Sequence, residues 1–422
     1  MANNVIDLRP PGQSCGCPAC ERLSFPPVAL AADAELAARV PTVPLVADAV
    51  ALAAWTGSRA VDAQAMLEPA DAAAAVAELG LRPERLRLLW IVAVNGGLLR
   101  ITRERAEPGP FTFERGVEST LEFWDGVVMD VLDRADAEGL TGSAVLDEHL
   151  AETLATVYSV RSGVSAATLA KGILQSHEVA CGPHTGGPIL TELEAALELL
   201  AYCGLVERTA HGGVRLTPLG VWAIRQDLRR EGHDAPSAAQ VEVFAELDAA
   251  ELVAAMVAGG VTPSAVGTWL ERHHPVEAAW ALTRIAAAGN AGERGACGTV
   301  LDELGPVAEP ALRAALSEPL LWRYAASWLH IRDLDAPPLT PADHAWIAVD
   351  TLAALLYLSD APGTLPSLDE DLNGLVGQMQ QVDHPDTVAV LELLAAHHDD
   401  ATVAKAARKA AMKARSLAAR NL

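Results

Sequence analysis

Three cysteines crowd the start of the chain, Cys15, Cys17 and Cys20 in the segment SCGCPAC. Their spacing is short enough to gather three thiolates on one zinc ion, and a tetrahedral site then needs a fourth ligand from elsewhere. His177, Cys181 and His184 in SHEVACGPHTGGP would supply it, or form a ligand set of their own. Zinc is therefore the one cofactor the residue types suggest. Two plainer readings compete. The N-terminal thiols can be free in an extended proline-rich arm, and residues 177–184 can be a Gly- and Pro-rich linker between helices. The plainer readings are favoured, because structural zinc sites usually show a second ligand pair at recognisable spacing.

A second constellation is basic. Arg82, Arg85, Arg87, Arg100, Arg103 and Arg105 fall within one stretch that holds only two acids, Glu84 and Glu104. Guanidinium groups spaced over a helix and a hairpin can grip phosphates, whereas a solvated helix face gives the same pattern without any ligand. The C-terminal segment AKAARKAAMKARSLAARNL carries Lys405, Arg408, Lys409, Lys413, Arg415 and Arg420 without an acid. It reads either as a polyanion grip or, preferably, as a helix capping the fold and offsetting an acidic body.

Catalytic signatures are missing. There is no Gly-rich phosphate loop, no G-x-S-x-G and no H-E-x-x-H, so a non-enzymatic role is expected. Asp369 to Gly374, DEDLNG, imitates the start of a calcium loop, but position 12 is Gln380 and the bidentate carboxylate is absent. Ser367 and Glu370 fit better as a capping box. Adjacent histidines such as His273-His274 and His397-His398 point to different faces of a helix, so each pair supplies at most one ligand.

The elements that must position these residues are helical. With 422 residues, 51% of them apolar and 20% charged, the chain is globular and long enough for two to four domains. Its formal charge of −24, from 55 acids against 31 basic residues, disfavours DNA over the surface as a whole and confines any nucleic-acid role to a local patch. No apolar run reaches the length of a membrane span and the N-terminus is not a secretory signal, so a cytoplasmic protein with no membrane partner and reduced thiols is expected.

Residues 189–230 organise the rest. Leu193, Leu197 and Leu200 form one apolar stripe of a helix that Gly204 ends; Leu205 to Arg208 and Val214 to Leu216 alternate about a turn at His211-Gly212-Gly213. Thr217 then caps a second helix with Pro218 at its first position. Residues 43–115 repeat the pattern: helices over Leu45 to Trp55, Pro69 to Leu79 and Pro83 to Asn95, a strand Leu98 to Thr102, a turn at Pro108-Gly109-Pro110 and a return strand Phe111 to Glu114. Helices over Val117 to Glu138, Ser143 to Ser159 and Ser165 to Gln175 follow. From Pro236 onward helices succeed one another between prolines and glycines, which fits a HEAT-type stack or a compact bundle.

The expected fold is mainly α with short β-hairpins: an N-terminal Cys-containing arm (1–42), a winged-helix-like unit (43–115), a helical segment with a second such unit (116–235), and a HEAT-like helical domain with a basic C-terminal helix (236–422). The segments LTPLGVWAIR, HHDDATVAKAARKAAMKARS and WTGSRAVDAQAMLEPADAAAAVAELGL resemble those of uncharacterised proteins from high-GC bacteria. That resemblance implies no activity and no site residues. A winged helix usually reads DNA with its third helix, yet the helix at 189–202 carries Glu192, Glu194 and Glu198 and no cation. The expected function is regulatory or adaptor, with a protein partner and, through the first unit only, DNA. A zinc-binding enzyme or thiol sensor is the alternative.

Overall fold

A computed structural model describes residues 23–160, 162–180, 188–357 and 372–418. The chain is mainly helical, with short strands in two small sheets, and divides into two compact units, one over 25–238 and one dominated by 239–422.

In the first unit, α1 (Asp33–Arg39) buries Leu36 completely. The arm expected over 1–42 is thus helical from Asp33. Helices α2 (Pro44–Thr56), α3 (Pro69–Leu79) and α4 (Leu86–Asn95) lead into a hairpin of β1 (Leu99–Thr102) and β2 (Arg105–Pro108). A single antiparallel bridge, Ala60 to Arg105, attaches the segment after α2 to β2. The hairpin turns at Arg103-Glu104, not at Pro108-Gly109-Pro110 as expected. Gly109 instead closes the ladder: its N–H donates to the Leu98 carbonyl at 2.8 Å, and a Cβ there would stand 2.0 Å from the Gly97 carbonyl oxygen. Phe111 then leaves the sheet and stacks on Phe123 at 4.4 Å, an arrangement that offset-stacked aromatic pairs favour.

Helix α5 (Val117–Glu138) carries the fully buried Trp124, whose indole N–H donates to the Leu219 carbonyl. The expected helix 143–159 is two helices, α6 (Ala144–Glu148) and α7 (Leu150–Ser159), broken at His149 with φ −105 and ψ 15. Then come β3 (Val164–Ser165), α8 (Ala166–Ala180), α9 (Ile189–Tyr202), β4 (Val206–Arg208), β5 (Gly213–Leu216) and α10 (Pro218–Arg230). The sheet order is β3-β5-β4, so the strand between α7 and α8 pairs with the last strand of the hairpin. The earlier hairpin follows the same path with one bridge in place of the outer strand.

Glycine fixes the α9 exit. Gly204 has φ +77, and its N–H and that of Leu205 close on the Ala201 and Leu200 carbonyls, a helix stop that needs a left-handed residue. Thr217 accepts the Gly220 N–H at 2.9 Å and donates to the Gly204 carbonyl at 2.6 Å, tying the start of α10 to the end of α9.

The second unit holds α11 (Ala238–Ala245), α12 (Ala249–Val257), α13 (Pro263–Arg272), α14 (Pro275–Ala288), α15 (Ala291–Leu304), α16 (Glu309–Ala315), α17 (Trp322–Ile331), α18 (Pro341–Leu355), α19 (Leu372–Met379), α20 (Thr387–His397) and α21 (Ala401–Ala418). One core gathers Leu252, Trp269, Leu282, Val300 and Leu329. Another gathers Val349, Met379, Val390, Leu394 and the alanine face of α21. The sequence reading passes over α15, whose three glycines lower helix propensity. Packing reverses that penalty: a Cβ on Gly292 would lie 2.9 Å from the Tyr357 Cβ, so the glycine permits close approach, and a capping box of Asn290 and Glu293 starts the helix. Among the described residues, no single helix is long and apolar enough to cross a membrane.

Candidate functional site

The six arginines of the first hairpin region meet different fates. Leu88, Leu89, Trp90, Val92 and Ala93 bury most of α4. Arg85, just before it, is half-buried with its guanidinium 3.7 Å from the Tyr202 ring centroid. Tyr202 in turn donates to Asp48 at 2.7 Å, and burial together with that bond pushes its hydroxyl pKa up. Arg85 therefore packs α4 onto the end of α9. Arg100 pairs with Glu107 at 3.1 Å across the hairpin, and Arg105 donates to the Ser58 carbonyl. Arg82 and Arg87 are exposed beside and on α4, and Arg103 is exposed at the hairpin tip with φ +56.

The second hairpin is balanced internally. Arg208 pairs with Glu194, Arg215 pairs with Glu207 at 2.7 Å, and Glu192 accepts the Ser143 hydroxyl at 2.5 Å. Both of its hairpin cations are thus held by carboxylates, one from the third helix (Glu194) and one from β4 (Glu207).

Of the metal candidates, Cys15, Cys17, Cys20, Cys181 and His184 lie outside the described residues, as does the DEDLNG segment up to Asp371. His177 is described, on α8, and its neighbours are residues the sequence reading missed. Its Nδ1 stands 3.5 Å from Glu148 Oε2. A ring nitrogen of His149, one of His177 and a Glu148 oxygen all lie within 4.8 Å of one another. His149 is 6% exposed; its Nδ1 is 3.2 Å from Glu152, and its Nε2 is buried with no hydrogen-bond partner. Adjacent residues converge here because His149 sits in the break between α6 and α7, where the rule that neighbours on a helix diverge does not hold. Only Glu148 beside His149 was visible in the sequence, and nothing there announced the break.

No protein-family model, curated protein or solved structure matches the chain.

The second unit contains a buried ionic cluster. Arg294 donates to both oxygens of Asp350, and His384 Nε2 (2.7 Å) and the Tyr324 hydroxyl (2.9 Å) complete the carboxylate's shell. Burial alone would push the Asp350 pKa up, but the hydrogen bonds from Arg294 and His384 and the Arg294 charge hold it below the usual carboxylate range. Nearby, a cleft of about 520 Å³ is lined by Arg323, Asp343, Trp346, Gln378 and Gln381. Arg323 is committed to Asp343 at 2.8 Å, so the cluster joins α15, α17 and α18 instead of presenting a free cation to the cleft. Cys203 and Cys297 are buried, and burial pushes each thiol up to about 12, which removes the thiolate needed for nucleophilic or redox chemistry.

Proposed function

We propose that this chain is a non-enzymatic regulatory or adaptor protein, built of two winged-helix-like units followed by a HEAT-like helical unit. One observation carries the reading: the path helix, strand, helix, helix, hairpin, with the first strand paired to the last, occurs over 150–216 and in reduced form over 44–108. In a winged helix this wiring supports the third helix and the wing, the two elements that meet a macromolecule.

The two copies then divide their roles by charge. Arg82, exposed just before α4, and Arg103, exposed at the hairpin tip, make the first copy the one able to meet phosphate, while the paired ions of the second suit it to packing against protein. For the helical unit, the exposed apolar pair Val276 and Trp280, one turn apart on α14, is the natural contact for a protein partner.

The test is fluorescence anisotropy with a labelled mixed-sequence DNA duplex. Binding is expected at low salt and should weaken steeply as salt rises, with the logarithmic slope falling by about 1 for each contacting arginine removed. No binding even at low salt would remove the DNA branch and leave protein association as the role of both copies.

A further inference from the structure

We infer that Glu148, His149 and His177 form a binding site for one divalent transition-metal ion of the zinc class. The site is independent of the N-terminal cysteines and of the DNA-binding reading.

The donor set is the first ground. Two borderline imidazoles with one carboxylate make a ligand set that zinc accepts, and three protein ligands leave a fourth position for water or an incoming group. Spacing is the second. Zinc bonds of about 2.0–2.1 Å in a tetrahedron put ligand atoms roughly 3.3 Å apart. The His177 to Glu148 separation of 3.5 Å already matches that edge, and all three donors lie within 4.8 Å, so small side-chain rotations complete the set.

Burial is the third. His149 is 6% exposed, and its Nε2 has no hydrogen-bond partner, although a buried ring nitrogen ordinarily finds one. Glu152 takes the opposite nitrogen at 3.2 Å. A carboxylate on the far nitrogen of a ligating histidine fixes its tautomer, turns the other nitrogen toward the metal and raises its basicity. The arrangement leaves Nε2 as the donor. An ion held there would pin the break between α6 and α7 to α8, clamping together the helices that flank β3 of the three-stranded sheet.

The experiment is calorimetric titration of the full chain with zinc chloride, in a background where Cys15, Cys17 and Cys20 are replaced by serine. One equivalent of zinc is expected, with affinity falling at least 100-fold in His149→Ala and in His177→Ala. In Glu152→Gln, which removes no ligand but weakens the hold on His149 Nδ1, affinity should fall by roughly 10- to 100-fold. Absence of stoichiometric binding in the serine background, or undiminished affinity in His149→Ala, would overturn the site. Circular dichroism checks that the alanine variants fold. Should they not, Glu148→Gln decides, because that side chain is 49% exposed and tolerates change: at least tenfold weaker binding supports the site, and an unchanged constant overturns it.

Discussion

Asp350 shows how single residues anchor the second unit. A bidentate partner, a histidine and a tyrosine surround a carboxylate that is 1% exposed. Removing it strands Arg294, itself 6% exposed, so Asp350→Ala should lose about 3–5 kcal/mol in urea denaturation. Replacing both, as Asp350→Leu with Arg294→Met, should recover most of that loss, because two apolar groups leave no buried charge. The pH dependence has a definite sign. The folded-state pKa of Asp350 is depressed, so its stabilisation is complete above the ordinary carboxylate pKa and is lost as pH falls through the lowered value. Asp343, lowered despite partial burial by bonds from Thr340 and Arg323, adds to the same acid loss. Urea midpoints measured downward from neutral pH should therefore decline at the acid end, and the decline should be shallower in the double variant.

Among the elements, helices with continuous apolar stripes and proline or glycine boundaries were legible in the sequence: Pro69–Leu79 and Val117–Glu138 have the bounds their residues suggest. What escaped depended on contacts distant in sequence. Helix α15 is stabilised against its own glycines by packing on Tyr357 and Ala354; the first hairpin turns at Arg103-Glu104 while Gly109, against Gly97, closes its open end; and His149 breaks a helix whose pattern reads as unbroken. The same holds for the arginines. Composition placed six cations together, but only packing reveals that Arg85 covers Tyr202. Two glycines test this level. Gly204→Ala should lose about 2–4 kcal/mol, since φ +77 is unfavourable for a side chain and its Cβ would meet Val43 at 2.7 Å. Gly220→Ala places a Cβ 2.1 Å from the Leu205 carbonyl oxygen and should be at least as damaging. Thermal unfolding of the two variants measures both.

For the molecule as a whole, a formal charge of −24 opposes polyanions, so contact with DNA depends on where the local exceptions lie. The first hairpin unit exposes Arg82, Arg87 and Arg103; the second exposes Arg208 and Arg215 too, but these are paired with Glu194 and Glu207. Arg85→Ala, which removes a stacking contact of about 0.5–2 kcal/mol, should lower stability and leave the salt dependence of DNA binding unchanged. The most direct test of the divided roles is charge reversal in each copy, read by DNA anisotropy at low salt. Arg82→Glu with Arg87→Glu and Arg103→Glu should abolish binding, and Arg208→Glu with Arg215→Glu should leave it intact. Equal losses in both sets, or a loss confined to the second, would contradict the account.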